Sequence, residues 1–368
     1  MDAGAGRRSW KLSGPFHLGS VINDFRLDPR DGKTLLMTAT GGHLGPTVFR
    51  SKNGGRTWKE ARRPPKFGQG RKATRGKQKD TRGLSVKACF WLSPGHADEP
   101  GVWYVGTAPV GIFRSTDDGE TWKGLKGFNE SPDWGRWTFG GNNETPGGSL
   151  LHSIQIDPRD EKHMYASMSI GGTFESHDRG RSWNPLNKGV AMDFMPGPAG
   201  EFGHDPHCMV IHPGDPDVLY QQNHCGIYRL DRNGTHEWKR IGRKMPKKIG
   251  DIGFPIVPHP TNPDVVWVFP MDGTQVWPRT SPDGRPAVYR TEDGGRSWDR
   301  LDRGLPRQNA WYTVKRQAMC ASDDARRTNV YFGTTSGEIW AGGDGGESWK
   351  RIAEGLPHVY SVRFARFR

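Results

Sequence analysis

Ser115-Thr116-Asp117-Asp118-Gly119-Glu120-Thr121-Trp122 decides how this chain folds, because the chain repeats it. Thr291 to Trp298 and Ser176 to Trp183 are close copies. Ser51 to Trp58 carries Asn53 in the Asp place, Gly342 to Trp349 lacks the first hydroxyl, and Leu230 to Trp238 is degenerate and one residue longer. The six tryptophans are 64, 61, 55, 60 and 51 residues apart. Self-similarity at such a period marks a repeat architecture, in which each unit buries its faces only against its neighbours.

Each interval holds the same series of elements. An apolar strand ends in Pro or Asp, as in Leu151 to Pro158, and a second strand follows, as in Val218 to Gln222. A glycine then opens a third strand, as in Gly111 to Arg114. The boxed turn comes next, and a short fourth strand begins at the Trp. Four antiparallel strands per unit cannot bury both faces alone, but they can when stacked radially, as in a β-propeller. After the sixth box, Pro357 to Ala365 reads as an inner first strand, and Arg8 to Leu12 reads as an outer fourth strand. Together they predict an all-β, seven-bladed propeller whose closing blade is split between the termini and incomplete. A six-bladed ring is the alternative. A split blade would remove exposed sheet edges. The expected organisation is one domain over 1–368, with a basic insertion at 61–86.

The boxed turns resemble the Asp-box, or BNR, repeat, Ser/Thr-x-Asp-x-Gly-x-Thr/Ser-Trp, and the resemblance covers nearly the whole chain. It implies a sialidase-like or glycosyl-hydrolase-like propeller. That group includes sialidases, xyloglucan-active glycosidases, sortilin-type receptor domains and photosystem-assembly factors. In the family the box sits on the outer hairpin between third and fourth strands, away from the active centre. The residue chemistry agrees: Asp and Ser/Thr side chains satisfy a tight turn, and Gly supplies positive φ. The sialidase signature itself is not matched. Such enzymes pair a Tyr nucleophile with acidic residues and clamp a carboxylate with three arginines. Phe25-Arg26-Leu27-Asp28-Pro29 only echoes the first arginine motif, because Asp28-Pro29 belongs to the strand-ending pattern of Asp157-Pro158. Arg316 and Arg363 lie on inner strands, and no third arginine stands out. Tyr312 is a nucleophile only by conjecture.

Composition bounds the function. The chain has 368 residues, 33% of them hydrophobic, with 51 Gly, 28 Pro and 15 Trp, which suits many short strands joined by turns. No apolar run approaches the ~20 residues of a membrane span. Met1 to Phe16 lacks the apolar region of a secretory signal. Four cysteines make no disulfide framework. These features point to a cytoplasmic protein without membrane contact. The net charge is +13, and from Arg56 to Lys87 twelve Lys/Arg face only Glu60 and Asp80. Residues 61–86 show no strand or helix period and read as a long mobile basic loop, suited to attracting an anion. Nucleic-acid binding through this segment has charge in its favour, but no stacking ladder and no recognition module.

Chemistry in a propeller concentrates where the inner strands begin, around the central channel. Blade 1 offers Asn23 there, blade 2 Lys87 to Ala88, blade 3 His152, blade 4 His207, blade 5 Phe254 and blade 6 Lys315-Arg316-Gln317. Blade 4 is densest. A symmetric hairpin centred between Asp215 and Pro216 would set His207 opposite His224 and Cys208 opposite Asn223, with cross-strand Cβ atoms ~5 Å apart. His204 lies just upstream, and His152 begins the neighbouring blade. His207, His224 and His152 are candidate ligands for Zn2+ or another divalent transition metal. The same imidazoles suit acid–base chemistry, or they pack the channel. Acids in the feeding loops are Glu144, Asp193, Glu201, Asp205 and Asp251, of which Glu201 and Asp205 flank His204. The expectation is an enzyme, glycosidase-like or acting on another small molecule. It would bind a polar or anionic ligand or glycan at His152, His204, His207 and His224, with Arg316 supplying charge. The alternatives are a non-catalytic scaffold for a protein partner and, more weakly, a nucleic-acid binder.

Overall fold

Six four-stranded antiparallel sheets follow one another along the computed structural model, which describes residues 2–3, 10–17, 19–41, 45–70, 77–141, 149–194, 200–273 and 279–367. Blade 1 comprises Phe25–Leu27, Leu35–Thr40, Pro46–Ser51 and Lys59–Glu60, paired in that order. The inner strands of blades 2 to 6 are Ala88–Pro94, Leu151–Ile156, Pro206–His212, Gly253–Pro258 and Met319–Ala321. From blade 1 to blade 6 each inner strand packs on the next. The chain is a six-bladed β-propeller. Second strands such as Trp103–Ala108, Met164–Met168 and Val266–Pro270 are buried along their whole length. Their largely apolar character, broken only by small polar residues such as Thr107 and Ser167, follows from being covered on both sides by neighbouring blades.

The boxed turns join third and fourth strands. In blade 2 the Ser115 hydroxyl donates to Asp117 Oδ1 at 2.7 Å and accepts from the Gly119 amide at 2.9 Å. Asp117 also accepts from the Thr121 amide and hydroxyl. Blades 3 and 5 repeat the pattern through Asp178 and Asp293. The box tryptophans tie blades together: Trp238, Trp298 and Trp349 each donate to a carbonyl of the preceding blade, at Leu186, Ile241 and Leu301.

The seven-bladed expectation is corrected by this architecture. Among the described residues the termini form no seventh four-stranded sheet. Trp10–Lys11 pairs only with Asp2–Ala3, while Ser361 makes a parallel bridge to Gln317. Both terminal segments instead pack on blade 6, where Trp10 and Phe364 contact Tyr331. The seam with blade 1 is then closed by side chains. Fully buried Asp24 accepts from the amides of Phe25 and Leu92, from the Ser361 hydroxyl at 3.1 Å and from Arg363 at 2.7 Å. Arg26 lies 3.4 Å from its other oxygen. One carboxylate thus joins blades 1 and 2 to the C-terminal segment.

The basic segment is also no free arm where it is described. Arg63 bridges Thr121, Phe67 is buried against Phe113, Thr81 bonds to the Asn129 carbonyl and Gly83 to that of Gly68. Residues 71–76 lie outside the described part.

Replacing Asp24 with Ala strands Arg363 inside the protein. Removing one partner of a buried ion pair costs about 3–5 kcal/mol. Urea denaturation of Asp24→Ala should show a loss of that order, with Asp24→Asn milder. A loss below ~1 kcal/mol, as for a solvent-exposed pair, would remove Asp24 from its closing role.

Candidate functional site

The inner strands of blades 2 to 5 share an irregularity close to their first residues. Register shifts fall between Cys89 and Trp91, His152 and Gln155, Pro206 and Cys208, and Gly253 and Ile256. A bulge inserts an unpaired residue and re-aims its side chain. The residues so displaced include Phe90, Ser153, His207 and Phe254. Three of these meet at the centre. The His207 ring lies 4.9 Å from that of Phe254, and the Arg316 guanidinium sits 4.7 Å from Phe254 and 6.0 Å from Phe90.

His224 arrives on the blade 4 hairpin. Asn223 pairs with Gly226 around the two-residue turn His224-Cys225, and Asn223 Oδ1 accepts from the Cys225 amide at 2.9 Å. Gly226 has φ +128°, and a Cβ there would press on Arg240 and Asp251. The symmetric register is off by one residue. The inner hairpin closes more tightly, at His212 and Asp215, so Cys208 lies opposite Gln222 rather than Asn223. The bulge at His207 moves the register one residue further the same way, pairing Pro206 with Asn223 and bonding the His224 amide to the Asp205 carbonyl, and the unpaired His207 ring ends 5.8 Å from that of His224, at 75°.

Asp205 joins them. Its Oδ2 lies 3.5 Å from His207 Nε2 and 3.4 Å from His224 Nδ1, while Oδ1 accepts from the Ile170 amide at 3.2 Å. His207 Nδ1 lies 2.6 Å from the Gly253 carbonyl. A carbonyl only accepts, so Nδ1 carries the hydrogen, and the lone pair of the neutral ring faces Asp205. Burial alone would raise the Asp205 pKa, but His207, His224 and Arg316 more than offset it and hold the carboxyl well below the usual range. Burial lowers the His207 pKa, partly opposed by Asp205. Among the described residues, the buried Nε of Arg316 has no hydrogen-bond partner. Lys315 Nζ sits 5.0 Å over the Phe254 ring, and burial followed by Arg316 lowers its pKa. Phe194 meets His224 edge-on at 5.1 Å.

The other expected residues are placed differently. Fully buried His152 has both ring nitrogens occupied, Nε2 by the Pro206 carbonyl at 2.8 Å and Nδ1 by Ser153 Oγ at 2.9 Å. It therefore supports the blade 4 strand and has no nitrogen left for a metal, which corrects that expectation. His204 is buried, with Nε2 bonded to the Gly200 carbonyl. Glu201 is exposed, and its backbone carbonyl accepts from Asn187. Tyr312 packs among the apolar side chains of blades 5 and 6 beside Phe269, so it is not placed as a nucleophile. Asp251 is taken up by two hydrogen bonds from Arg240. Glu144 lies outside the described residues. Sequence reasoning missed Phe90 and the Gly253 carbonyl, because bulges leave no local mark. Two clefts, of about 320 and 380 Å3, lie beside box turns near Trp183 and Asn53 and contain none of these residues.

No family model matches the chain, and no curated protein matches it. Solved structures do. An ancestral GH74 enzyme superposes with a TM-score of 0.60 at 15% identity, over 92% of this chain and 40% of that one. The GH74 enzyme of Niastella koreensis gives 0.58 at 16% identity, over 91% and 47%. The chain thus spans less than half of these GH74 chains. YCF48 bound to D1 peptide gives 0.54 at 13% identity, over 94% and 86%. At such identities the likeness concerns the fold. No helix among the described residues is long and apolar enough to cross a membrane, and all four cysteines are free.

Burial also sets a pH dependence. It depresses the pKa values of His152, His204, His212 and His259, so these rings stay neutral in the native state while the unfolded chain protonates near the ordinary value of 6.5. Below that value the unfolded state binds more protons, so stability present at pH 7 is lost as pH falls toward 5. A fully buried ring such as His152 contributes about 1.4 kcal/mol per pH unit there. Unfolding free energies should decline from pH 7 to 5, less steeply in His152→Gln. A flat or rising profile would contradict neutral buried rings.

Proposed function

We propose that the protein binds a small molecule bearing a carboxylate or phosphate at this end of the ring and acts on it as an enzyme. The observation that carries the reading is Arg316. Its guanidinium lies inside the ring against two aromatic rings, with a buried nitrogen that no group among the described residues satisfies. A buried donor without a partner is costly unless something completes it, and guanidinium geometry matches carboxylate and phosphate. Lys315 adds a second positive charge over the same Phe254 ring. Asp205, His207 and His224 supply the reactive part. A neutral imidazole whose Nε2 faces a carboxylate is suited to take up and return a proton near neutral pH. A glycosidase working through two carboxylates needs a partner for Asp205 at roughly 5–9.5 Å. Asp251 is engaged with Arg240 and Glu201 is exposed, which favours the histidine-centred reading.

Arg316→Met keeps the apolar stem between the rings and removes the charge. Calorimetric titration with a panel of sugar acids and sugar phosphates should find a ligand for the wild type that binds Arg316→Met at least about tenfold more weakly, the scale of one charge-assisted hydrogen bond. Equal affinity in both proteins would sink the reading.

A peptide partner at the same rim is the second reading. Trp311, in the loop leading to Arg316, is 59% exposed, and one similar structure is a YCF48 bound to D1 peptide. Trp311→Ala would then abolish peptide capture while leaving anion binding intact.

A further inference from the structure

Two groups of side chains among the described residues bring three metal-capable donors within 4.8 Å of one another: Asp205 with His207 and His224, and His163 with Glu175 and His177. Their surroundings differ. The His163 group is already satisfied. His163 Nδ1 lies 3.1 Å from Asp157 and Nε2 lies 2.7 Å from Glu175, while Glu175 also receives Arg232. An incoming cation would have to displace an arginine and break both imidazole contacts.

The Asp205 group is arranged the other way. Its donor atoms converge without satisfying one another, since 3.4 and 3.5 Å are long for hydrogen bonds between charged and neutral partners. They match a metal instead. Ligand atoms 2.0–2.2 Å from a tetrahedral ion stand about 3.3–3.6 Å apart. The groups behind the donors fix their direction. The Gly253 carbonyl holds the hydrogen on His207 Nδ1 and turns Nε2 inward, the role a carbonyl commonly plays behind a metal-binding histidine. The Ile170 amide engages Asp205 Oδ1 and leaves Oδ2 to the cluster. The His224 amide is bonded to the Asp205 carbonyl, locking two of the three residues in register.

We propose that Asp205, His207 and His224 hold one Zn2+ ion, with the fourth position open toward Arg316. Asp205 takes the place that sequence reasoning gave to His152. Two imidazoles and one carboxylate with an open position form a reactive rather than a purely structural site. The anion that Arg316 and Lys315 attract would be the natural fourth ligand, and this clause rests on the function proposed above. The ion itself does not, because its three ligands are independent of Arg316.

The test uses the full chain, stripped with dipicolinate and titrated with ZnCl2 by calorimetry. Co2+ substitution provides a spectroscopic signature, the intense visible bands of a four-coordinate ion. About one equivalent should bind the wild type, and His224→Ala should bind at least about a hundredfold more weakly, beyond the 10–100-fold loss that follows removal of a supporting group. His224 lies on a hairpin turn and is partly exposed, so this variant should fold, which its melting temperature checks. His163→Ala should bind zinc as the wild type does. Equal zinc affinity in wild type and His224→Ala, loss in His163→Ala instead, or wild-type affinity no better than that of the unfolded chain would each overturn the proposal. Arg316→Met separates the two readings. Zinc bound without any anion leaves the metal site standing alone. An anion bound to metal-free protein that takes up no zinc removes the metal and leaves the anion site.

Discussion

A ring of sheets must close, and here closure depends on the Asp24 carboxylate. Five of the six seams are sheet-on-sheet contacts between inner strands. The sixth is filled by the C-terminal segment, which has no sheet of its own to offer. Asp24 gathers two amides, a hydroxyl and two guanidiniums from three parts of the chain. Buried charges persist only when paired and hydrogen-bonded, and Asp24 meets that condition. Arg26 and Arg363 both lie against Trp91, at 5.3 and 5.9 Å from its ring. The closing ion pairs are therefore also packed against the core.

That arrangement determines what is left for chemistry. Among the described residues, Arg26, Arg363 and Arg316 lie against the aromatic rings of the inner strands. The first two share the one negative charge of Asp24. Arg316 interacts electrostatically with the other buried carboxylate, Asp205, and its Nε has no hydrogen-bond partner among the described residues. The surplus cation and the shared carboxylate end up side by side. A fold that had paired Arg316 with Asp205 directly would have a quiet centre.

The period of the boxes made the propeller legible, since a repeated turn states the unit directly. Blade count was not legible. Pro357 to Ala365 has strand-like apolar spacing, but strand propensity does not say whether a partner strand exists, and the segment pairs through one parallel bridge. At the site, His207 and His224 could be brought together from hairpin arithmetic, although the true register differs by one residue before the bulge and by two after it. The rings still meet because His207 is the unpaired residue of the bulge and His224 sits in the adjoining turn. His152 shows the limit. Its residue type suits a ligand, yet the Pro206 carbonyl and Ser153 fill both nitrogens, and only three-dimensional neighbours decide that. Asp205 was visible as an acid in the right loop, without any local sign of which way it points.

Two of the backbone outliers, Ser153 and Ile170, lie beside the candidate site. Most positive-φ positions are glycines in turns, as in Gly119 and Gly180 of the boxes, where the conformation carries little cost. Ile170 is different. It has φ +53°, a conformation that crowds a β-branched side chain. Such a residue costs of order 1–3 kcal/mol and persists only where its surroundings enforce it. The enforcing contact is visible: the Ile170 amide donates to Asp205 Oδ1. Ser153, at φ +56°, likewise directs its hydroxyl to His152 and receives the Met209 amide. Both residues thus hold groups at the centre, on strands or turns of blade 3, whereas the non-glycine positive φ values of the box turns fall on Asp118, Arg179, His236 and Asp344, none of them β-branched. The cost of isoleucine at position 170 is offset by a rigid turn that keeps one oxygen of Asp205 engaged and the other turned inward.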